Sequence, residues 1–451
     1  MLLFEDTIAA QATPPGRGGV GIIRLSGMGT NAIAIGLLGG VPSPRRAVLR
    51  RFLDESGETI DSGLVLYFPG PRSFTGEDVL ELHAHGGQII IDLLLERVLQ
   101  LGARTARPGE FSQRAFLNGK LDLVQAEAIA DLIDSASVQA ARSAQRTLQG
   151  QFSERIQSLM TQVTGLRVQV EAAMDFPEEE IDFLSDAGVA KRLDELSQLL
   201  AQTVSSARTG RLLREGLTVV IAGKTNVGKS SLLNRLSERD SAIVTSIPGT
   251  TRDLLRETIQ IDGLTLHLVD TAGLRTTSDV VERHGVARAW KAIESADIIL
   301  LMVDDRGAGI GAQEQAALAQ VGPSSQVIVV RNKVDLSGAL PGLVLGAEVV
   351  TVRISASTGA GLELLKAQLK ATAGYQQNTE GLFLARRRHL EALQKTEMAL
   401  NCARRQLYAH APVELVAEDL WDAHHALGEI TGEFSSEELL ERIFSSFCIG
   451  K

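Results

Sequence analysis

The sequence predicts a multidomain chain with three parts: an α+β N-terminal domain, an all-α domain in two halves, and a doubly wound α/β domain inserted between those halves. Three observations predict it. Glycines and short apolar runs fill residues 1–118. Helical spacing with few breakers fills 119–215 and returns over 374–451. Between them, residues 216–373 alternate apolar strand runs with helices around a glycine-rich loop, GKTNVGKSS. A change of hydrophobic period along a chain marks a change of architecture.

In the first part, GVGIIRLSG, GLVLYF and DVLELHAHGG read as strands, and GQIIIDLLLERVLQLGA reads as a helix closed by Gly102. From Leu121, LDLVQAEAIADLIDSASVQAARSAQRTLQGQFSERIQSLM carries apolar residues at helical spacing, and Pro177 in MDFPEEEID stops a helix before VAKRLDELSQLLAQTVSSARTGRLLREG resumes. In the third part, LTVVIAG is a strand, and ETIQIDGLTLHLVD is a hairpin turning at Asp262-Gly263. IILLMVD, QVIVVRNK and EVVTVRIS are apolar enough to be buried on both faces. Helical texture returns in LEALQKTEMALNCARRQLYAH, and Ser435-Ser436-Glu437-Glu438 fits a capping box ahead of LLERIF. An α/β domain spliced into a helical body is held by two tethers through which its movements can pull.

Composition sets limits. The 451 residues suggest about three domains. A formal net charge of −10 does not favour a general nucleic-acid binder, although it leaves room for a local basic patch. Aromatics at 4% argue against a large base-stacking platform. Two cysteines, Cys402 and Cys448, are too few for a disulfide framework. The N-terminus lacks the basic segment of a signal peptide, and no run approaches a membrane span. Those features lead us to expect a cytoplasmic protein without membrane partners.

The loop Gly223-Lys224-Thr225-Asn226-Val227-Gly228-Lys229-Ser230 fits G-x-x-x-x-G-K-[ST], with a strand before it and a helix after it. Backbone N–H groups from Asn226 to Ser231 and the helix N-terminus suit phosphate oxygens, Lys229 suits the outer phosphates, and the Ser230 hydroxyl suits Mg²⁺. Asp270-Thr271-Ala272-Gly273 ends a strand, which places Asp270 beside the Mg²⁺ shell and the Gly273 N–H near a γ-phosphate. In Asn332-Lys333-Val334-Asp335, the Asp335 carboxylate can accept from guanine N1–H and the exocyclic amine, donors that adenine lacks. Ser355-Ala356 can offer a backbone N–H to guanine O6, and Thr250-Thr251 falls where a mobile switch belongs. These elements, in this order, call for GTP rather than ATP.

GKTNVGKSSLLN, PGTTRD, DTAGLR, NKVD and ISA resemble the translation-factor-like GTPases. QATPPGRGGVGIIRLSG, FTGEDVLELHAHGG, RPGEFSQRAFLNGKLDLVQAEAIADLI and the terminal FCIGK resemble the family of bacterial tRNA-modification GTPases called MnmE or TrmE, over essentially the whole chain. The resemblance implies an N-terminal folate-binding and dimerisation domain (1–118), a discontinuous helical domain (119–215 and 374–451) and an inserted P-loop GTPase domain (216–373). It further implies a homodimer and a heterotetramer with the protein MnmG, which alone carries FAD. The pair would convert carbon 5 of the wobble uridine of certain tRNAs to an aminomethyl or carboxymethylaminomethyl form.

The residue after the DTAG motif is Leu274, which cannot orient a water, and no protein-supplied arginine finger is evident. Charge on the transferring phosphoryl still needs a cation. The side-chain carbonyl of Asn226 can ligate a monovalent ion, although read alone Asn226 could equally serve its own backbone. The resemblance assigns K⁺ to Asn226 with oxygens from Thr245, Ile247 and Thr250, and assigns nucleotide contacts to Thr245 and Thr251, Thr251 joining Ser230 on Mg²⁺. It also makes Glu282 a water-positioning group beside Asn226 and Lys229 in the catalytic set; alone, Glu282 reads as a solvated first-turn glutamate.

By the same resemblance a 5-formyltetrahydrofolate or related folate would meet Arg24, Glu81, Lys120 and Lys451, residues that singly read as surface ion pairs. His83 and His85 lack the partners of a metal site and read as structural or pocket-lining. Glu178-Glu179-Glu180 reads as a solvated turn, and Arg386-Arg387-Arg388 as either a tRNA phosphate contact or a charged helix start. CIGK does not make a prenylation box; in the family this tail points to the folate pocket, and a chemical role for Cys448 is an open expectation. The competing reading is a ribosome-assembly switch on rRNA, which predicts a basic KH-like appendix that is not found; a membrane-coupled GTPase is disfavoured by the missing apolar spans.

Overall fold

The computed structural model describes residues 5–175, 187–240, 256–270, 296–307, 311, 325–344, 349–375 and 382–450. Pro177, the run Glu178–Glu180 and the predicted site residues Thr245, Ile247, Thr250, Thr251, Gly273, Glu282 and Lys451 lie outside them. The chain divides into two compact units, one of residues 1–133, 145–201 and 391–451, the other of residues 134–144 and 202–390.

The first unit opens on a six-stranded sheet: β1 (Ile8–Gln11), β2 (Gly18–Ser26), β3 (Val48–Leu53), β4 (Thr59–Phe68), β5 (Val79–Gly86) and β6 (Arg104–Thr105), in the order β3-β4-β5-β2-β1-β6. Only β1 and β6 run parallel. Alternation sends Ile23, Leu25, Val65, Leu80 and Leu82 into a core under α1 (Thr30–Leu38) and α2 (Gln88–Gln100). Gly102 follows α2 at φ +108, the left-handed position that ends such a helix.

A buried ionic cluster ties α3 (Glu110–Leu117) to this sheet. Arg114, 1% exposed, bonds Glu77 at 3.1 Å and Asp6 at 2.7 Å; Glu77 takes the Ser26 hydroxyl at 2.6 Å, and Glu110 binds Arg104. Burial alone would raise the Glu110 carboxyl, but its bond to Arg104 and the Arg107 N–H hold it below the usual range.

The long helical run expected after Leu121 breaks twice, into α4 (Leu123–Ile133), α5 (Val138–Leu148) and α6 (Gln151–Asp175). Ser137 starts α5 by accepting the Ala140 N–H at 3.1 Å, and Gly150 turns the chain at φ +94. After α7 (Ala187–Glu215), this unit resumes with α11 (Arg387–Tyr408), α12 (Val413–Thr431) and α13 (Glu437–Ser445), whose Ile443 and Phe444 pack on Leu123 and Ala126. The capping box forms only by half. Ser436, not Ser435, caps α13, accepting the Leu439 N–H at 3.3 Å, so no glutamate stands at the third position to return the bond. Ser435 instead donates to the Gly432 carbonyl.

The second unit holds a seven-stranded sheet: β7 (Leu217–Gly223), β8 (Arg256–Ile261), β9 (Leu264–Asp270), β10 (Ile298–Asp304), β11 (Gln326–Asn332), β12 (Gly342–Leu343) and β13 (Thr351–Arg353), ordered β12-β13-β11-β10-β7-β9-β8. The five central strands are parallel and the two edges antiparallel. Its helices are α8 (Lys229–Asp240), α9 (Val334–Ser337) and α10 (Leu362–Thr372). The β8–β9 turn has Asp262 at φ +49 and Gly263 at φ +86, the pair of left-handed residues that a two-residue hairpin requires. The strand expected across EVVTVRIS is limited to Thr351–Arg353.

Candidate functional site

The carboxyl ends of parallel strands gather the predicted nucleotide residues, as a crevice at a doubly wound sheet should. The loop Lys224–Gly228 follows β7, Asp270 closes β9, Asp304 closes β10, Asn332 closes β11, and Ser355 follows β13. The loop is bent by three left-handed residues, Gly223, Asn226 and Gly228. A Cβ on Gly223 would overlap the Met302 carbonyl, and one on Gly228 would overlap the Asn332 amide, so both glycines permit close approach. Asn226 is exposed at φ +63.

Lys229 begins α8, is 9% exposed, and donates from Nζ to the Gly223 and Lys224 carbonyls at 2.7 and 2.9 Å. That holds an ammonium within the curl of the loop. Ser230 and Ser231 lie in the first turn of α8, Ser231 exposed.

Asn332 joins the phosphate loop to the base side. Its Nδ2 donates to the Val227 carbonyl at 2.8 Å, and its Oδ1 accepts the Ala356 N–H at 2.9 Å. Lys333, left-handed at φ +71, donates from Nζ to the Asn226 carbonyl at 2.6 Å and pairs with Asp304 at 2.9 Å. The Ser355 hydroxyl, followed by Ser357 at 3.3 Å, keeps the Asp335 carboxyl below its usual range, so it stands ionised as an acceptor. The two N–H groups expected to face guanine O6 have protein partners: Ser355 N–H reaches the Ala360 carbonyl, and Ala356 N–H reaches Asn332.

Three residues of this site, Asp304, Arg306 and Arg235, go unmarked by the motifs. Asp304 anchors Lys333 and accepts from Arg306 at 2.8 and 3.0 Å, which holds its carboxyl far below the usual range. Arg235 of α8 donates to the Ala356 and Ser357 carbonyls. The doublet Asp304-Asp305, closing a wholly apolar strand at the ligand-bearing edge, was the available signal for the first; nothing in the sequence marks Arg235.

In the first unit, Arg24 and Glu81 sit opposite each other on β2 and β5 and pair at 2.9 Å. The Arg24 guanidinium lies 5.7 Å from the Phe74 ring and 5.8 Å from Phe111. The tail after α13 returns here: the Cys448 carbonyl accepts the Gly109 N–H, and the Gly450 carbonyl lies 3.5 Å from Arg24. His83 Nε2 is buried, 3.5 Å from Glu81, with no hydrogen-bond partner. An orphaned imidazole nitrogen beside a carboxylate and a guanidinium suits a polar heterocycle. His85, three-quarters exposed, bonds Asp61 instead. Lys120 donates to the Pro71 carbonyl at 3.0 Å and lines a hollow of about 330 Å³ with Phe116, Asp122 and Glu433. Among the described residues no cluster of metal-ligating side chains occurs, and no helix is long and apolar enough to cross a membrane.

Comparison with known proteins agrees over the whole chain. The family described as GTP-binding protein TrmE N-terminus matches residues 7–120, and the MnmE helical domain matches residues 123–448. A protein named tRNA modification GTPase MnmE from Methylococcus capsulatus is 56% identical over 448 residues, covering 99% of each chain. One of the same name from Yersinia pestis is 57% identical over 452 residues, again covering 99% of each. The solved GTPase Era of Aquifex aeolicus overlaps 41% of this chain and 66% of its own at 28% identity, with a TM-score of 0.28.

Proposed function

The chain belongs to the MnmE family of tRNA modification GTPases, and from that premise we propose how its parts divide the work. It is a GTP hydrolase that uses Mg²⁺ and acts in tRNA modification. The proposal is that residues 216–373 bind and hydrolyse GTP, that residues 1–118 bind a folate one-carbon donor and dimerise, and that the helical stretches 119–215 and 374–451 connect them. In the cytoplasm, with MnmG as partner, the homodimer modifies carbon 5 of the wobble uridine of certain tRNAs.

The observation that carries the nucleotide reading is the Asn332 bridge, with Lys333 on the Asn226 carbonyl beside it. Base recognition and phosphate cradle are thereby one rigid piece. Asp335, ionised, accepts the two guanine donors. Lys229, already held inside the loop, presents its ammonium to the outer phosphates. Ser230 at the start of α8 supplies a hydroxyl for Mg²⁺, with Thr251 and Asp270 as the remaining candidates.

The exposed side chain of Asn226, together with Thr245, Ile247 and Thr250, suits K⁺. When bound, that ion supplies positive charge where the phosphoryl group needs it. Glu282 is the candidate that positions water. At the other site, Glu81 can read an aminopyrimidine, the orphaned His83 nitrogen can take a further pterin hydrogen bond, and Arg24, Lys120 and Lys451 can hold carboxylates.

The test measures turnover of GTP and ATP in matched K⁺ and Na⁺ buffers, with titration of 5-formyltetrahydrofolate alongside. GTP turnover that rises in K⁺ and fails in Asn226→Ala is expected. Equal rates in the two salts end the K⁺ reading, and absent folate binding ends the one-carbon reading.

A further inference from the structure

We propose that the arginine-rich edge strand β3 and its lead-in form a docking rim for the sugar–phosphate backbone of the tRNA, placed abreast of the one-carbon site. The inference deepens the proposed function and rests on it for the location of that site.

The charge distribution is the first argument. The chain carries 55 acidic residues, yet none occurs from Thr7 to Leu53. Within that stretch Arg45, Arg46, Arg50 and Arg51 fall in a run of seven residues. All four are exposed, as is Arg72, whose carbonyl accepts from Arg45. The side-chain hydrogen bonds of Arg45 and Arg50 go to backbone carbonyls, and among the described residues none of the five arginines forms an ion pair.

The nearby acids are occupied elsewhere. Asp54 accepts from Ser56 and from the Glu58 N–H, and Asp61, opposite Phe52, is taken by His85. Across β4, Arg50 faces Gly63 and Arg51 faces Ser62, so no neutralising neighbour stands opposite. A strand at a sheet edge is commonly blunted by a charge or two. Five unpaired guanidiniums on one rim of a protein with net charge −10 exceed that need. They fit a polyanion, because a guanidinium forks onto phosphate oxygens.

Register supplies the second argument. Arg24 pairs with Glu81, and Glu81 pairs with Leu66 of β4. Leu64 and Ser62 share the Leu66 face and stand opposite Leu49 and Arg51. Arg51 therefore lies on the face that bears Arg24 and Glu81, away from the core residues Leu80 and Leu82. Two strand spacings separate β5 from β3, about 10 Å. An RNA loop delivering a base to Arg24 and Glu81 would lay its flanking backbone across this rim.

The experiment uses the full-length homodimer and an unmodified tRNA transcript, with affinity measured by fluorescence anisotropy at several salt concentrations. Each guanidinium–phosphate pair removed should flatten the slope of log affinity against log salt by about 0.7–1. Replacing Arg45, Arg46, Arg50 and Arg51 together by serine should therefore flatten it by about 3 and weaken binding at least about tenfold near 0.1 M salt. The same four positions as lysine should keep the slope, and GTP turnover without tRNA should match the parent in both variants. An unchanged slope in the serine variant overturns the proposal. Titrating 5-formyltetrahydrofolate into the parent separates the two readings: if it fails to bind, the one-carbon reading falls, while the salt slope still decides the rim.

Discussion

Replacing Asn332 by alanine tests the nucleotide site at its hinge. Asn332 is 2% exposed, and its amide spans from the Val227 carbonyl at 2.8 Å to the Ala356 N–H at 2.9 Å. Alanine leaves one buried acceptor and one buried donor without partners. Each such group costs about 1–3 kcal/mol, so about 2–5 kcal/mol is lost between the stability of the unit and its affinity for nucleotide. Some of this returns if water enters, which makes the lower half of the range the working expectation. A loss of about 2–3 kcal/mol expressed in binding is about thirty- to hundredfold in Kd. Titration of fluorescent GDP and GTP, with a thermal melt in parallel, separates the two shares. Both nucleotides should weaken alike, because the bridge joins base side and phosphate loop without involving a γ-phosphate. Binding within about twofold of the parent, with an unchanged melt, would falsify the account of Asn332 as the link between those parts.

Three further outcomes follow from the same geometry. Asp335→Asn exchanges an acceptor for an amide that can donate to the 2-carbonyl of xanthine; GTP affinity should fall about a hundredfold or more while xanthosine triphosphate becomes a substrate, checked by turnover of both. Glu110→Gln strands Arg104 beside a neutral partner and should cost about 3–5 kcal/mol in urea unfolding of the first unit. Because its folded pKa is depressed, the ionised Glu110 stabilises above the unfolded value of about 4.3, and that contribution disappears as pH falls through the lower folded value; the glutamine variant should lose this acid-side slope. Ser436→Ala should cost about 1 kcal/mol at the start of α13, read as faster amide exchange at Leu439.

The nucleotide crevice was legible because its chemistry is local. A strand, a loop with two glycines and a helix are consecutive, and the left-handed angles at Gly223 and Gly228 are those that glycine alone adopts cheaply. The hairpin turn at Asp262-Gly263 was legible for the same reason. What escaped depends on partners far away in sequence. Arg114 meets Glu77 and Asp6, and nothing near QRAF announces a buried cation. Lys333 needs Asp304 to aim it at Asn226, and that acid lies on a different strand. The breaks between α4, α5 and α6 were missed because serine and a lone glycine only weakly oppose a helix, and it is the Ser137 cap that decides the first of them.

The edge of the α/β unit shows why texture and packing divide the chain at different places. Composition changes at about residue 216, but residues 134–144 pack with the second unit. The cause is side-chain bonding at the β8–β9 turn. Gln260 donates to the Ala136 carbonyl, the Tyr375 hydroxyl lies 3.1 Å from both Gln139 Oε1 and the Asp262 carbonyl, and Lys370 pairs with the Asp262 carboxylate. Each partner comes from a different stretch of chain, so no window of sequence contains the bond. The hairpin stands in sequence between the segments that carry Thr251 on one side and Gly273 and Glu282 on the other. Its turn is thus tied to the first residues of α5 as well as to the strand ladder, and α5 runs unbroken from Val138 to Leu148, past residue 144 where the second unit's share of it ends. A domain inserted through two backbone tethers has acquired a third by hydrogen bonding, and the residues that make it are those whose composition belongs to the helical run.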